Sequence, residues 1–313
     1  MLRFWRSFLL FTRQRCAAID EIEISDSKKE ENVEKVPISV VVITKNEEHN
    51  IEDCLESALW ANEIIIVDDG STDRTVELAK KFTDKIFSRK MDIEGKHRNY
   101  AYSLARNNWV LSLDADERVS PELQEELRQL FKDPIKHVVF CIPIKTYLGK
   151  KWLRYGGWYP ASKDRLLDKR IVRYEEKGVH PRIIYHGTCG RFLKGDIIHY
   201  SYRNFHDFFQ TLNKQTTAEA NKWFEEKRKV GVLKAFRKFL SRFLRYYIVE
   251  QGFRDGLIGF MAAFGGGYYQ WMTYVKYWEM LKVPALPAGR HSPELIVDDK
   301  KEKRPECPQH SQL

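Results

Sequence analysis

Two stretches decide the fold: IIIVDDGSTDRT (Ile64–Thr75) and WVLSLDADE (Trp109–Glu117). Each begins with a short apolar run that reads as a buried strand. Each run ends in carboxylates: Asp68, Asp69 and Asp73 in the first, Asp114, Asp116 and Glu117 in the second. Acids at the ends of parallel strands lie where open α/β sheets bind ligands. The first cluster therefore reads as a nucleotide site and the second as a metal site on its diphosphate.

The flanking sequence extends this pattern. Pro37 opens the β-branched run Ile38–Ile43, fit for a central strand. TKNEEHN follows, and Asn46 or Glu47 starts a helix with Ile51, Cys54, Leu55, Ala58 and Leu59 on one face. Asp73 is placed to N-cap a helix running to about Phe82. A strand is expected at 85–88, a helix at 96–107 and a strand at 109–113. Ser120-Pro121 is an N-cap followed by a proline, opening a helix to Lys132. A further strand follows at 138–144. This alternation predicts a three-layer α/β/α fold around a mostly parallel sheet.

Beyond Lys145 the rhythm changes to a loop-rich region of aromatics, glycines and cations. Short strands are expected at 165–167, 171–173 and 183–185, and RFLKGDIIHYSYRN (191–204) closes this part. From Phe205 the chain reads as helical. Lys227–Arg245 holds eight Lys/Arg and no acid, with Phe236, Phe239, Leu240, Phe243, Leu244 and Tyr247 at helical spacing. This is a basic amphipathic helix. Residues 256–275 carry no charge, but five glycines, Gln270 and Thr273 argue for a buried or interfacial helical pair over a membrane span. Four parts result: an amphipathic segment and linker at 1–36, the α/β and acceptor region at 37–204, a helical region at 205–286 and a polar tail at 287–313.

Composition narrows the class. Apolar residues make up 43% of the 313, so the chain is not disordered. Five scattered cysteines without a CxxC exclude a disulfide framework and a zinc site, and suit a reducing cytoplasm. The net charge of +9 admits nucleic acid, an anionic membrane or an anionic substrate as partner. The cations concentrate in one C-terminal helix and RNA-binding signatures are absent, which disfavours nucleic acid.

Asp-Gly-Ser-Thr-Asp is also turn chemistry, so each cluster alone is open to a purely structural reading. Together, in order and behind TKNEE, they resemble family 2 inverting glycosyltransferases of GT-A fold, as does the basic GKHRNYA between them (95–101). GGWYP (156–160), RLL at Arg165, Val179-His180, LKGDIIHYSYR (193–203) and GFRDGLIGF (252–260) resemble the bacterial lipopolysaccharide-core β-glucosyltransferase branch. The resemblance implies a UDP-sugar donor, Mg²⁺ or Mn²⁺, and a saccharide or glycolipid acceptor. It also implies an enzyme of the cytoplasm, peripherally attached to the inner, anionic face of the membrane. Transfer to a soluble or peptide acceptor is the alternative.

Carried over by position, Thr44, Glu47, Asp68 and Asp69 would contact the nucleoside, and Arg98 the base or diphosphate. Asp114 and Asp116 would form the metal-binding DxD, with Asp114 also on the donor, and His199 would add a metal or phosphate contact. Inversion needs a general base. Where the branch has a glutamate after Val-His, this chain has Pro181. His180 and Asp164 are then the candidates, with a structural histidine as the other reading of His180. Trp152, Trp158 and Tyr159 are sugar-stacking candidates or packing anchors.

Overall fold

A computed structural model describes residues 35–176, 181–190 and 192–283. The amphipathic segment expected at the N-terminus, the polar tail and His180 lie outside the described residues.

The chain opens with β1 (Val36–Thr44), α1 (Ile51–Glu56), β2 (Ala61–Asp68), α2 (Thr75–Ala79), β3 (Ile86–Ser88) and α3 (Glu94–Ser103). Next come β4 (Trp109–Asp114), β5 (Glu117–Val119), α4 (Pro121–Leu130), β6 (Val139–Leu148), β7 (Lys151–Trp152) and β8 (Ala161–Asp168). β9 (Arg173–Tyr174) and β10 (Ile183–Ile184) form a separate ribbon, and β11 (Ile197–Tyr202) returns to the main sheet. The strand order is β3-β2-β1-β4-β8-β6-β11-β5, with β7 paired to β6. From β3 to β4 the pairings are parallel; β8 then runs antiparallel to both β4 and β6, while β11 runs parallel to β6.

Long β-branched runs make β1 and β2 central, because both faces of each are covered. On one face Val40, Val42, Ile64 and Ile66 pack under Ile51, Leu55, Leu78, Leu123 and Leu127 of α1, α2 and α4. On the other, Val41, Ile65 and Val67 pack under Ala101 and Tyr102 of α3. The three layers and the GT-A architecture are as the sequence leads one to expect.

Local starts and stops differ in instructive ways. α2 is five residues long, and its N-cap is Arg74, not Asp73. The Asp73 carboxylate instead accepts from the N–H and hydroxyl of Thr75 and from the Glu48 N–H, so it joins two loops. α1 begins after Asn50 because the Glu47–Asn50 turn comes first. α3 stops at Ser103, four residues before the expected end.

The C-terminal region comprises α5 (Phe205–Glu225), α6 (Val232–Leu244), a π-helical turn (Arg245–Val249), a 3₁₀ turn (Gly252–Asp255) and α7 (Gly256–Lys282). Residues 256–275 form part of one helix, not a pair. Its glycines serve close approach: a Cβ on Gly265 would lie 2.5 Å from the Phe208 ring, and one on Gly266 2.5 Å from the Tyr246 ring. Among the described residues no helix is long and apolar enough to cross a membrane.

The Ser120 hydroxyl accepts from the Leu123 N–H (3.2 Å), capping α4, and from the Asp196 N–H (3.3 Å) ahead of β11. Ser120→Ala should cost about 1–2 kcal/mol, because one cap and one buried backbone donor are lost together. Urea unfolding measures this, and Ser120→Thr should recover most of it.

Candidate active site

β1 is flanked by β2 on one side and β4 on the other, so chain order reverses there and a crevice opens beyond the strand ends. Register places Thr44 beside Asp68 and Ile43 beside Asp114. The two clusters therefore meet at one edge of the sheet.

The loops after β1 and β2 are laced together. The Asn46 N–H donates to the Ser71 hydroxyl (2.8 Å), and the Asn46 side-chain oxygen accepts from the Thr72 N–H (2.8 Å). Asn46 has φ of +55°, a conformation asparagine tolerates better than most residues. The Glu47 N–H donates to the Thr75 hydroxyl (2.7 Å). Asp68 is committed to the turn, accepting from the N–H groups of Gly70 and Ser71 (both 3.0 Å).

Asp69 faces a different setting. It accepts from the Met91 N–H (2.6 Å) and pairs with Lys45 (2.9 Å). Burial acts to raise its carboxyl, but the Met91 N–H and Lys45 outweigh this and hold it below the ordinary range. Nearby, the Thr44 hydroxyl and both ring nitrogens of His97 are buried without a hydrogen-bond partner among the described residues. Burial, then Arg89, hold His97 below its ordinary value, which favours the neutral ring. Burial raises Glu47, whose carboxylate accepts from the Asn50 amide (2.8 Å).

At the end of β4, Asp114 meets Arg165 at 2.7 Å and Arg98 at 3.7 Å. Burial would raise its carboxyl, but the two guanidinium groups keep it well below the carboxylate range. Glu117 has no solvent exposure; it accepts from the Asp114 N–H (3.0 Å) and touches the same Arg165. Burial pushes Glu117 up, with Arg165 opposing. Arg165 reaches inward from an irregularity in the β6–β8 pairing, where Phe140 pairs with Leu166 but Cys141 with Asp164. The extra residue is Arg165, and such bulges re-aim a side chain.

Asp116 points elsewhere. Its carboxylate lies 3.0 Å from Nε2 of His199, whose Nδ1 lies 2.8 Å from the Ser201 hydroxyl. Pairing of β11 with β5 sets His199 opposite Glu117, and the Tyr200 N–H donates to the Asp116 carbonyl (3.0 Å). Both side chains retain solvent access, 24% for Asp116 and 20% for His199.

Residues 39–192 match the family model described as glycosyl transferase family 2. This segment is a family 2 glycosyltransferase domain. The lipopolysaccharide core biosynthesis glycosyltransferase LpsC of Rhizobium meliloti is 27% identical over 266 residues, which is 82% of this chain and 97% of the relative. An uncharacterized glycosyltransferase of Rickettsia typhi is 27% identical over 237 residues, covering 72% of this chain and 80% of the relative. Among solved structures, Staphylococcus aureus TarS 1–349 in complex with UDP is 16% identical with a TM-score of 0.43, covering 76% of this chain and 91% of that one.

The loop-rich stretch beyond Lys145 is built differently. Asp164 accepts from the Cys141 thiol (2.9 Å), and burial, with Asp164 beside it, pushes that thiol up to about 12. Trp152 lies between Lys145 (4.4 Å) and Arg154 (5.3 Å) and meets Tyr159 edge-on. The Tyr159 hydroxyl donates to Asp196 (3.0 Å), and Trp158 packs edge-on against Tyr202. These contacts make the three aromatics packing anchors for the loop that carries them. Sequence reasoning missed Arg165 and Glu117 as partners. The only signal was a lone arginine before two leucines and an acid following the DxD.

Two outcomes test this geometry. Arg165→Met leaves Glu117 buried without its cation, and Asp114 with Arg98 alone, and should cost about 3–5 kcal/mol; adding Glu117→Gln should recover part of it in a denaturation cycle. Asp69, with its folded pKa depressed, stabilises the fold above the unfolded carboxyl value, and that share is lost as pH falls through the folded pKa. The stability gap between wild type and Asp69→Asn should therefore be widest near neutral pH and narrow in acid, as thermal melts across pH will show.

Proposed function

We propose that this glycosyltransferase moves a hexose, glucose in the first instance, from a UDP-sugar to a lipopolysaccharide-core or other lipid-linked saccharide, with inversion. The observation that carries this reading is the pairing of Asp116 with His199 beyond the strand ends that also carry Asp69 and Asp114. The relationship to LpsC supports the acceptor class.

On this reading Asp69 and the Thr44 hydroxyl receive the nucleoside, and Arg98 lies along the diphosphate. Asp68 shapes the turn, and Glu47 braces the loop beside it. Asp114, held by Arg165 and Arg98, faces the donor and forms the metal-binding DxD with Asp116. The donor set of Asp116 and His199 fits Mg²⁺ or Mn²⁺, since such ions take one or two protein ligands and complete their shell with water and substrate phosphates. Ser201 fixes the imidazole so that Nε2 faces Asp116. A bound divalent ion supplies charge neutralisation on the departing diphosphate. His180 takes the acceptor proton, its ordinary pKa suiting a base near neutrality, with Asp164 as second candidate. The enzyme works in the cytoplasm, held peripherally on the inner membrane face, in keeping with the cationic α6.

Nucleotide release from a panel of nucleotide sugars with Mn²⁺ tests the donor and the metal together. Release should be fastest with a UDP-hexose, fall to background with a chelator, and be lost in Asp116→Ala. Ser201→Ala should raise the Mn²⁺ needed for half-maximal rate by about tenfold. Metal-independent release by the wild type would remove the metal role. Unimpaired transfer in His180→Ala would move the base to Asp164.

A further inference from the structure

α6 turns its aromatic side toward α7. Phe236 meets Trp271, Phe239 meets Phe264, and Phe243 and Tyr247 both meet Phe260. A second apolar line stays uncovered: Leu233, Leu240, Leu244 and Ile248 are exposed, and their spacings of seven and four place them along one helical side. The line continues as Val249, Phe253 and Leu257 through the turns that lead into α7. Leu233 is 83% exposed, Val249 72% and Leu257 73%. Large apolar side chains exposed in one band mark an interaction surface, whereas scattered ones do not.

Charge selects the partner. Lys234, Arg237, Arg245 and Arg254 are exposed beside this band; no acidic residue occurs from Lys227 to Arg245, and beyond it Glu250, paired with Arg245, and Asp255 balance the last two cations, so the positive charge lies along α6. Apolar side chains flanked by cations match an anionic bilayer, with the former entering the acyl boundary and the latter meeting headgroups.

The same turns hold the aromatic loop of the acceptor side. The Asp255 carboxylate accepts from the N–H groups of Arg154 and Tyr155, both at 2.9 Å. The Gly156 N–H donates to the Glu250 carbonyl at 2.7 Å. Gly252 lies against Gly156 so closely that a Cβ on Gly252 would come within 2.7 Å of the Tyr246 carbonyl oxygen. Through Trp158 and Tyr202 this loop reaches β11, the strand of His199.

We propose that the band from Leu233 to Leu257, cationic along α6, is the membrane-contacting tip of the enzyme, resting on an anionic bilayer and holding the Arg154–Gly156 loop at the lipid surface where a glycolipid presents its sugar. The proposal rests on the membrane-surface reading above and deepens it by assigning the contact to these residues. The experiment is co-sedimentation of the full chain with phosphatidylcholine vesicles, with and without phosphatidylglycerol. The wild type should partition onto the anionic vesicles. Val249→Glu and Leu257→Glu should each lower that partition by about tenfold or more, because a carboxylate would enter the interface beside anionic lipid. Both positions are solvent-facing, so melting temperature and donor-only nucleotide release should stay at wild-type values; Leu257→Ser supplies a milder variant should either glutamate perturb the fold. Wild-type partition in both glutamate variants would overturn the proposal, as would equal binding to vesicles lacking phosphatidylglycerol. Self-association of the wild type, lost in the variants and without vesicle binding, would assign the band to a second copy of the chain instead. Normal donor turnover without vesicle binding counts against the tip alone, whereas vesicle binding without donor turnover counts against the donor reading alone.

Discussion

One guanidinium, shared between a buried carboxylate and a partly exposed one, governs the site. Asp114 and Glu117 stand three residues apart at a strand end, and Glu117 has no contact with solvent. Ions so placed cost several kcal/mol unless paired and hydrogen-bonded. Arg165 touches both, and an arginine suits this because its planar fork presents several donors and stays charged. The irregularity at Arg165 in β8 is what lets a strand residue reach Asp114 of β4 and Glu117 of β5 together. Asp114 pairs with Arg165 and Arg98, whereas Asp116 pairs with His199, which β11 delivers to it. The two aspartates therefore enter different pairings, one with guanidinium groups and one with an imidazole.

The edge formed by the loops after β1 and β2 depends on a different device. Its two loops are joined by side-chain-to-backbone bonds from Asn46, Glu48, Ser71, Asp73 and Thr75, so the crevice wall is set before any ligand enters. Fixed dipoles and charges need no reorganisation when charge develops, which is where such lacing is valuable. Among the described residues the buried Thr44 hydroxyl at the end of β1 and the His97 ring nitrogens on α3 have no hydrogen-bond partner.

How much of this the sequence revealed depended on the range of the interaction. β1, β2 and β4 were legible because each is a continuous apolar run buried on both faces, and Ser120-Pro121 because a cap is local chemistry. Asp116 with His199 was reached through resemblance, not spacing, since 83 residues separate them. Arg165 was not legible as a partner of Asp114, because its position depends on a one-residue irregularity between β6 and β8 that leaves no compositional trace. Asp73 looked like a helix cap because capping and loop lacing use the same carboxylate-to-N–H bond. The glycines of α7 looked like breaks in a helix. They persist within one because aromatic rings of α5 and α6 occupy the space a side chain would need, and packing there outweighs the propensity cost of about 1 kcal/mol per glycine.

The loop at 152–160 contrasts with both. Its backbone N–H groups donate to the Glu250 carbonyl and the Asp255 carboxylate, about a hundred positions further along the chain. Its aromatics are held by Lys145, Asp196 and Tyr202. The donor crevice, by contrast, is closed by bonds among residues 44–117 together with Arg165 and His199. β11 serves both sides, with His199 at the crevice and Tyr202 against Phe208 of the helical region. Among the described residues no ion pair of the Asp114 network involves α5, α6 or α7, so a change in those helices can move the Arg154–Gly156 loop while leaving that network intact.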